Sequence, residues 1–234
     1  MTAPKTIARI AGLFYVLNGA GFIFAESVRS RIFVPGEGAA TAENIRASTT
    51  LFRAALVVDL VSGASLVLAA MALYLLLKHV NGPAAAAMVT FAAIACAIMD
   101  LNLLNQYAAL AIATQPDYTS AFGQAGSDGL VMLFAQLQRG GFLIVETFWG
   151  LWLLPLGYLV IKSGYFPRVL GALLIVACFS WIARQLVQLL APDLGGVATV
   201  LAAGAVGELT FLVWLLVKGP RVPAAEASVP AMAD

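Results

Sequence analysis

Charge is scarce in this chain: Asp, Glu, Lys and Arg make up 11% of its 234 residues, whereas soluble domains carry about 25%. Hydrophobic residues make up 62% of the sequence, which is more apolar surface than a water-soluble fold of this size can bury. The net charge of +1 argues against nucleic acid as a partner, because nucleic-acid-binding faces are strongly basic. The composition therefore predicts a chain whose partner and solvent is the lipid bilayer.

Cysteine and histidine are scarce as well. Cys96 and Cys178 lie in the middle of apolar runs, where we expect two buried small residues and not a disulfide framework. The one histidine, His79, follows Lys78 at the end of an apolar run. Because transition-metal and haem sites draw on several His or Cys ligands, we predict neither a metal nor a cofactor. The sequence also contains no P-loop, dinucleotide fingerprint or nucleophile elbow.

Long apolar runs are what the chain has in quantity. A bilayer core about 30 Å thick needs roughly 20 apolar residues in a helix. Unpaired backbone is excluded from lipid, so these runs predict helices and not open strands. Six runs qualify, and they cover residues 7–27, 51–77, 84–113, 141–161, 169–191 and 197–217. We predict an all-α integral membrane bundle of six transmembrane helices, forming one domain over residues 1–219, with a disordered cytoplasmic tail over 220–234.

The distribution of lysine and arginine among the short loops predicts that both termini are cytoplasmic. The first loop, residues 28–50, disagrees because it contains Arg29, Arg31 and Arg46. We expect the first run to be a retained helix, since the residues before Glu26 do not form a signal-peptide cleavage site.

Two loops are predicted to contain short surface helices. In the first loop, Thr41 is a candidate N-cap for a helix over residues 42–50. In the third loop, an apolar stripe predicts a second helix over residues 129–138. We expect a break at Gly140-Gly141, because one helix that included this segment would be too long for a single crossing. Pro155 is expected to kink the fourth membrane helix.

Four segments of the sequence resemble a known family. They are RIAGLFYVLNGAGF at 9–22, VPGEGAATAENIRASTTLFR at 34–53, KSGYFPRVLGALL at 162–174 and GELTFLVWLLVKG at 207–219. The sequence is similar to an uncharacterised family of bacterial membrane proteins, the domain of unknown function 4386. The resemblance implies six helices in a bacterial envelope, and we expect a multi-pass protein of the bacterial inner membrane. It implies no reaction and no functional residues.

Ionisable residues recur inside or at the edge of the apolar runs. We measure depth at 1.5 Å per residue from the predicted cytoplasmic end of each helix. Four of these residues then lie about 22–28 Å across the membrane: Asp59, Asp100, Glu146 and Arg184. Charges facing lipid are costly, so we expect the group to turn inward. The candidate ligand-binding pocket that follows from this depth consists of Asp59, Asp100, Arg139, Glu146, Arg184 and Gln188. The alternative is a closed salt-bridge network that only fixes helix packing.

Glu208 differs from this group because it lies roughly 13 Å from the cytoplasmic end, near the midplane of the bilayer. The arginines considered all lie higher, so no cationic partner is expected at its depth. A carboxyl group without such a partner favours its neutral form in a medium of low dielectric. Glu208 is therefore the candidate proton-binding residue, and a hydrogen bond to a neighbouring helix is the alternative.

Three functions stay open on the sequence alone. The first is binding or transport of a small ligand or of protons in the polar pocket. The second is a non-catalytic membrane subunit or stability factor that packs against a protein partner. The third is an intramembrane enzyme acting on lipid-linked substrates, which is disfavoured because no activated nucleophile is present. The oligomeric state is not determined by the sequence.

Overall fold

The computed structural model describes residues 3–221, and every regular element in that range is helical. Pro192–Leu194 and Ala202–Gly204 are short 3₁₀ turns that flank the eighth helix. The predicted tail lies mainly in residues 222–234, outside the described range. The α-helices are α1 (Ala3–Ile32), α2 (Gly38–Ala47), α3 (Thr49–Leu77), α4 (Gly82–Thr114), α5 (Pro116–Leu151), α6 (Leu153–Ser163), α7 (Arg168–Leu190), α8 (Gly195–Leu201) and α9 (Ala205–Val217).

Within the described residues, six helical stretches are long and apolar enough to cross a membrane, which confirms the predicted all-α architecture. Four of them are the single helices α1, α3, α4 and α7. The fifth combines α5 with α6, and the sixth extends from Pro192 through α9. The chain is therefore a multi-pass membrane protein, because its backbone groups are hydrogen-bonded within helices over every apolar stretch.

The connection between the first two spans is shorter than predicted. Helix α1 continues to Ile32, five residues beyond the predicted end, so Arg29 is helical and does not lie in a loop. The surface helix in this connection is present as α2. Thr41 as its N-cap is wrong: α2 begins before Thr41, whose hydroxyl accepts from the Val34 amide at 3.0 Å instead.

The break predicted at Gly140-Gly141 is also wrong, since α5 is helical through both residues. The chain leaves helical geometry at Gly123, where φ is 70° and ψ is 168°. Glycine adopts this backbone conformation without the steric cost that a Cβ brings. The segment 129–138 is helical as predicted, but it continues directly into the membrane crossing. The helical hydrogen bonding is interrupted before Pro155, because α5 ends at Leu151, whose carbonyl a proline nitrogen four residues later cannot bond. Trp152 keeps helical φ and ψ, and a kink at this point stays a prediction.

The described residues form two compact units, each with its own buried core. The first unit holds residues 3–16, 66–94 and 146–221. Trp152, Phe211 and Leu73 are among the large side chains buried in its core.

The second unit holds residues 17–65 and 95–145. Its core includes Phe52 and Ile45, so α2 packs its apolar side against the membrane-spanning helices of this unit. Transferring such a side chain from water into a protein core contributes about 1.5–3 kcal/mol. Transfer from lipid contributes much less, because lipid is itself apolar. The polar contacts described below therefore carry more of the specificity of helix packing than apolar burial does.

Candidate functional site

A buried arginine is the centre of the polar side chains in the second unit. Arg29 lies one turn before the end of α1 and is 2% exposed. Its guanidinium donates to the carboxylate of Asp59 on α3, which is also 2% exposed. The Nε atom donates to Glu26 at 3.0 Å, one turn earlier on the same helix. The guanidinium also lies over the Phe142 ring, with Cζ 4.9 Å from its centroid.

Two glutamines extend this contact to α4 and α5. Arg29 Nη1 donates to Oε1 of Gln106 at 3.4 Å, and Gln138 Nε2 donates to the same oxygen at 3.4 Å. Both glutamine side chains are fully buried. We call the four side chains Arg29, Asp59, Gln106 and Gln138 the Arg29 cluster.

The chemistry of arginine fixes the direction of every hydrogen bond in the Arg29 cluster. A guanidinium only donates, so Gln106 must present its oxygen to Arg29. That oxygen accepts a second bond, so Gln138 must present its nitrogen. The amide nitrogen of Gln106 and the amide oxygen of Gln138 are then left for other partners.

Four atoms of the Arg29 cluster have no hydrogen-bond partner among the residues that the structure describes. Two are donors, Arg29 Nη2 and Gln106 Nε2, and two are acceptors, Asp59 Oδ1 and Gln138 Oε1. In each side chain, the unpaired atom shares a guanidinium, carboxylate or amide carbon with an atom that is hydrogen-bonded within the cluster. The four unpaired atoms therefore lie close to the same set of hydrogen bonds. A buried polar group left unpaired costs about 1–3 kcal/mol, so donors and acceptors brought together in this way are expected to have a function.

Asn102 fixes the position of α5 against α4 beside the Arg29 cluster. Its Nδ2 donates to the backbone carbonyl of Gln138 at 2.8 Å, and its oxygen accepts from Asn105 at 3.0 Å. The Asn102 side chain packs on the bare backbone of Gly141, where an added Cβ would lie 2.6 Å from Nδ2 and nearer still to the amide oxygen. The close approach therefore requires glycine at this position.

Replacing Gly141 by alanine is expected to lower the free energy of unfolding by about 1–3 kcal/mol, because the new methyl group displaces the Asn102 amide. The neighbouring Gly140 has open space at its Cβ position. Gly140→Ala is therefore the matched control, and it should leave stability unchanged or raise it by up to about 1 kcal/mol. Unfolding in a denaturing detergent series measures both, and equal stability of the two variants would refute the Asn102 contact.

Two residues of the predicted pocket, Glu146 and Arg184, form a second ion pair, which lies within the first unit. Arg184 on α7 donates to Glu146 on α5, and one turn along the Arg184 helix Gln188 has an amide nitrogen without a described partner. Thr147 donates to Gln185 at 2.6 Å, so two adjacent residues of α5 contact two adjacent residues of α7. Sequence depth alone predicted that Glu146 and Arg184 are close, and the structure pairs them.

Glu208 on α9 has two described partners in the same unit. Tyr15 on α1 hydrogen-bonds one carboxyl oxygen, and Trp181 Nε1 on α7 donates to the other at 2.6 Å. The guanidinium of Arg184 lies 5.5 Å from the Trp181 ring centroid. The prediction that Glu208 has no partner at its depth concerns only cationic partners. The groups that contact its carboxyl group are aromatic hydrogen-bond donors.

The remaining predicted residues, Asp100 and Arg139, belong to neither ion pair. Asp100 accepts from the thiol of Cys96 at 3.5 Å, one turn earlier on α4, and its carboxyl packs against Gly63. Arg139 is exposed on α5, next to the buried Gln138. Of the predicted pocket residues, Asp59, Asp100 and Arg139 belong to the second unit, whereas Glu146, Arg184 and Gln188 belong to the first.

Residues outside the predicted pocket complete both sites: Arg29, Gln106 and Gln138 in the second unit, and Tyr15 and Trp181 in the first. Arg29 had one local signal, since Glu26 stands three residues before it on a helical face. Within residues 3–221 no group of three or more His, Cys, Asp or Glu side chains is placed to hold a metal ion.

Comparisons with known proteins give a family and a partial relative. A family model described as "Domain of unknown function (DUF4386)" matches residues 10–219. An uncharacterized protein of Archaeoglobus fulgidus is 37% identical over 76 residues, which are 32% of this chain. The match spans 44% of that relative, so less than half of its length is covered. No solved structure matches the chain.

Proposed function

This chain belongs to the family described as a domain of unknown function, DUF4386, and from that premise we propose that it is a multi-pass membrane protein that binds a small polar solute in the Arg29 cluster. The solute is one that carries both a hydrogen-bond acceptor group and a donor group. The site is built from four helices, α1, α3, α4 and α5, so binding there bears on how these helices pack.

The single observation that carries this proposal is the set of four buried atoms that have no partner in the part of the chain that the structure describes. Two donors and two acceptors remain after every internal hydrogen bond of the cluster has been assigned. If the cluster only held the helices together, its donors and acceptors would be expected to hydrogen-bond fully to one another. Here the internal bonds leave both kinds of group available at the same place.

The charges of the cluster set the chemistry of the solute. A carboxylate or carbonyl oxygen fits the two donors, because one of them belongs to the Arg29 guanidinium. An ammonium, amide or hydroxyl group fits the two acceptors, one of which belongs to the Asp59 carboxylate. A molecule with only one of these groups leaves two atoms of the cluster unpaired, which lowers its affinity.

Location and orientation are part of the proposal. The chain lies in the bacterial inner membrane with both termini in the cytoplasm, and residues 1–219 act as one transmembrane domain. The short loops with lysine and arginine support this orientation. Three arginines of the predicted first loop argue against this orientation. Arg29 is one of them, and it no longer counts as a loop charge, because it lies in α1 and is paired with Asp59.

The test compares two glutamines of α5. Gln138→Met removes an acceptor of the cluster, whereas Gln136→Met changes an exposed residue of the same helix in the same way. Purified protein is mixed with glycine or acetamide, which carry both groups, or with acetate or methylammonium, which carry one. Saturation-transfer NMR should detect glycine or acetamide most strongly, and Gln138→Met should weaken that binding about fivefold.

Gln136→Met should bind the probes as the wild type does, and matched melting temperatures show that both variants fold. Equal signals from all four probes would contradict recognition of two groups. Equal binding by the two methionine variants would contradict the placement of the site at Gln138.

A further inference from the structure

An apolar groove on α9 ends at a positive charge, Lys218. The groove has a volume of about 400 Å³. Its lining includes Val206, Leu209, Val213 and Val217, with Trp214 and Lys218 at one end. These residues recur every three or four positions, so the groove follows one face of the helix over about 18 Å.

Lys218 is placed where a membrane-spanning helix meets the headgroup region. It follows Val217, the last residue of the sixth span, and Gly219 reverses the chain there with a φ of 64°. Its Nζ lies 4.5 Å from the centroid of the Trp214 ring. Lysine and tryptophan are the residues that anchor helix ends at membrane interfaces.

Trp214 provides a second polar group at the same end of the groove. Its indole Nε1 is buried and has no hydrogen-bond partner within residues 3–221. Tryptophan N–H groups usually find an acceptor when they are buried. A cation and an N–H donor that is unpaired among the described residues therefore stand together at the end of the groove. The rest of the lining is apolar except for Thr210, whose hydroxyl donates to the backbone carbonyl of Val206 at 2.7 Å.

We propose that this groove is a binding site for one anionic phospholipid, with an acyl chain along α9 and the headgroup phosphate at Lys218 and Trp214. The apolar length of the groove fits an acyl chain, and its charge is complementary to a phosphate. Mass action is favourable, since the bilayer presents phospholipid at this face at all times. A second copy of the chain would have to bring its own acidic group to Lys218.

The experiment is native mass spectrometry of the full chain with added phosphatidylglycerol or phosphatidylcholine. The wild type should retain phosphatidylglycerol more strongly than phosphatidylcholine. Lys218→Gln should lower the phosphatidylglycerol affinity about fivefold, the effect of one lysine near an anionic lipid, and leave phosphatidylcholine unchanged. The matched control is Lys78→Gln, because Lys78 also lies over an aromatic ring, 5.7 Å from the centroid of Tyr74.

A third variant tests the acyl part of the site. Val213 is 57% exposed, so Val213→Trp fills the groove without disturbing the core, and it should weaken the binding of both lipids. Equal affinity of wild type and Lys218→Gln for phosphatidylglycerol would overturn the proposal. Displacement of the lipid by inorganic phosphate, or a dimer that Val213→Trp abolishes, would overturn it as well, in favour of a free anion or a second copy.

Discussion

Replacing Arg29 by methionine is expected to lower the free energy of unfolding by about 3–5 kcal/mol, because it leaves the Asp59 carboxylate buried without its counter-charge. Arg31→Met is the matched control on the same helix, since Arg31 is exposed, and its effect should stay within about 0.5 kcal/mol. Unfolding by a denaturing detergent, followed by circular dichroism, measures both variants.

The double variant Arg29→Met/Asp59→Leu separates the charge from the volume of the side chains. Removing both partners leaves no unpaired charge, so most of the stability lost in Arg29→Met should return. If the double variant is as unstable as the sum of the two single variants, Arg29 and Asp59 are not a coupled pair. If Arg29→Met is as stable as Arg31→Met, Arg29 is not buried as described.

The second large effect is expected at Gly157, where α6 and α7 are in contact within the first unit. A Cβ at Gly157 would lie 2.7 Å from the carbonyl oxygen of Gly171, and the reciprocal Cβ would lie 2.5 Å from the carbonyl oxygen of Gly157. Because the obstacle is backbone, a side chain can fit only if the two helices separate. Gly157→Leu should therefore destabilise the protein by about 3 kcal/mol, the upper end of the usual overpacking cost.

Gly196→Leu is the control for this substitution, since no atom of residues 3–221 lies within 4 Å of a Cβ at that glycine. Thermal unfolding of the two leucine variants gives the comparison. A Gly157→Leu protein that melts with the wild type would show that α6 and α7 are not packed backbone to backbone. Loss of stability in Gly196→Leu alone would contradict the open position of that residue.

The six membrane crossings were predictable from sequence because lipid imposes one simple rule, a long apolar helix for every crossing. The Gly157–Gly171 contact also had a readable signal. Gly164 caps α6 with a φ of 69°, and the two glycines stand seven residues before and after it. In an antiparallel hairpin, positions equally far from the turn lie opposite each other, and this spacing is the signal that could have placed the two glycines together.

The Arg29 cluster could not be predicted to the same depth. A charged residue near the end of an apolar run can lie in the loop or extend the helix, and Arg29 lies only two residues beyond the predicted boundary. Gln106 and Gln138 are polar residues whose burial depends on the rotation of α4 and α5 about their axes. Amphipathic periodicity indicates that rotation only weakly when lipid makes both faces apolar.

Glu208 shows the limit of depth as a guide to partners. Distance along the helix separates it from the arginines, and depth of this kind indicates only whether a cationic partner is within reach. The structure supplies a tyrosine and a tryptophan, which donate hydrogen bonds from largely apolar side chains and therefore do not stand out in an apolar sequence. Proton binding at Glu208 stays a prediction.

The most direct test of solute binding in the Arg29 cluster is an experimental structure of the protein purified in its native lipids and soaked in glycine or acetamide. We expect density for a solute larger than water, within hydrogen-bond distance of at least one unpaired donor and one unpaired acceptor of the cluster. At a soaking concentration near the wild-type dissociation constant, the density should be weaker in Gln138→Met and unchanged in Gln136→Met. Side chains that bond only to one another, or ordered waters alone at all four atoms, would contradict solute binding and leave a structural ion pair.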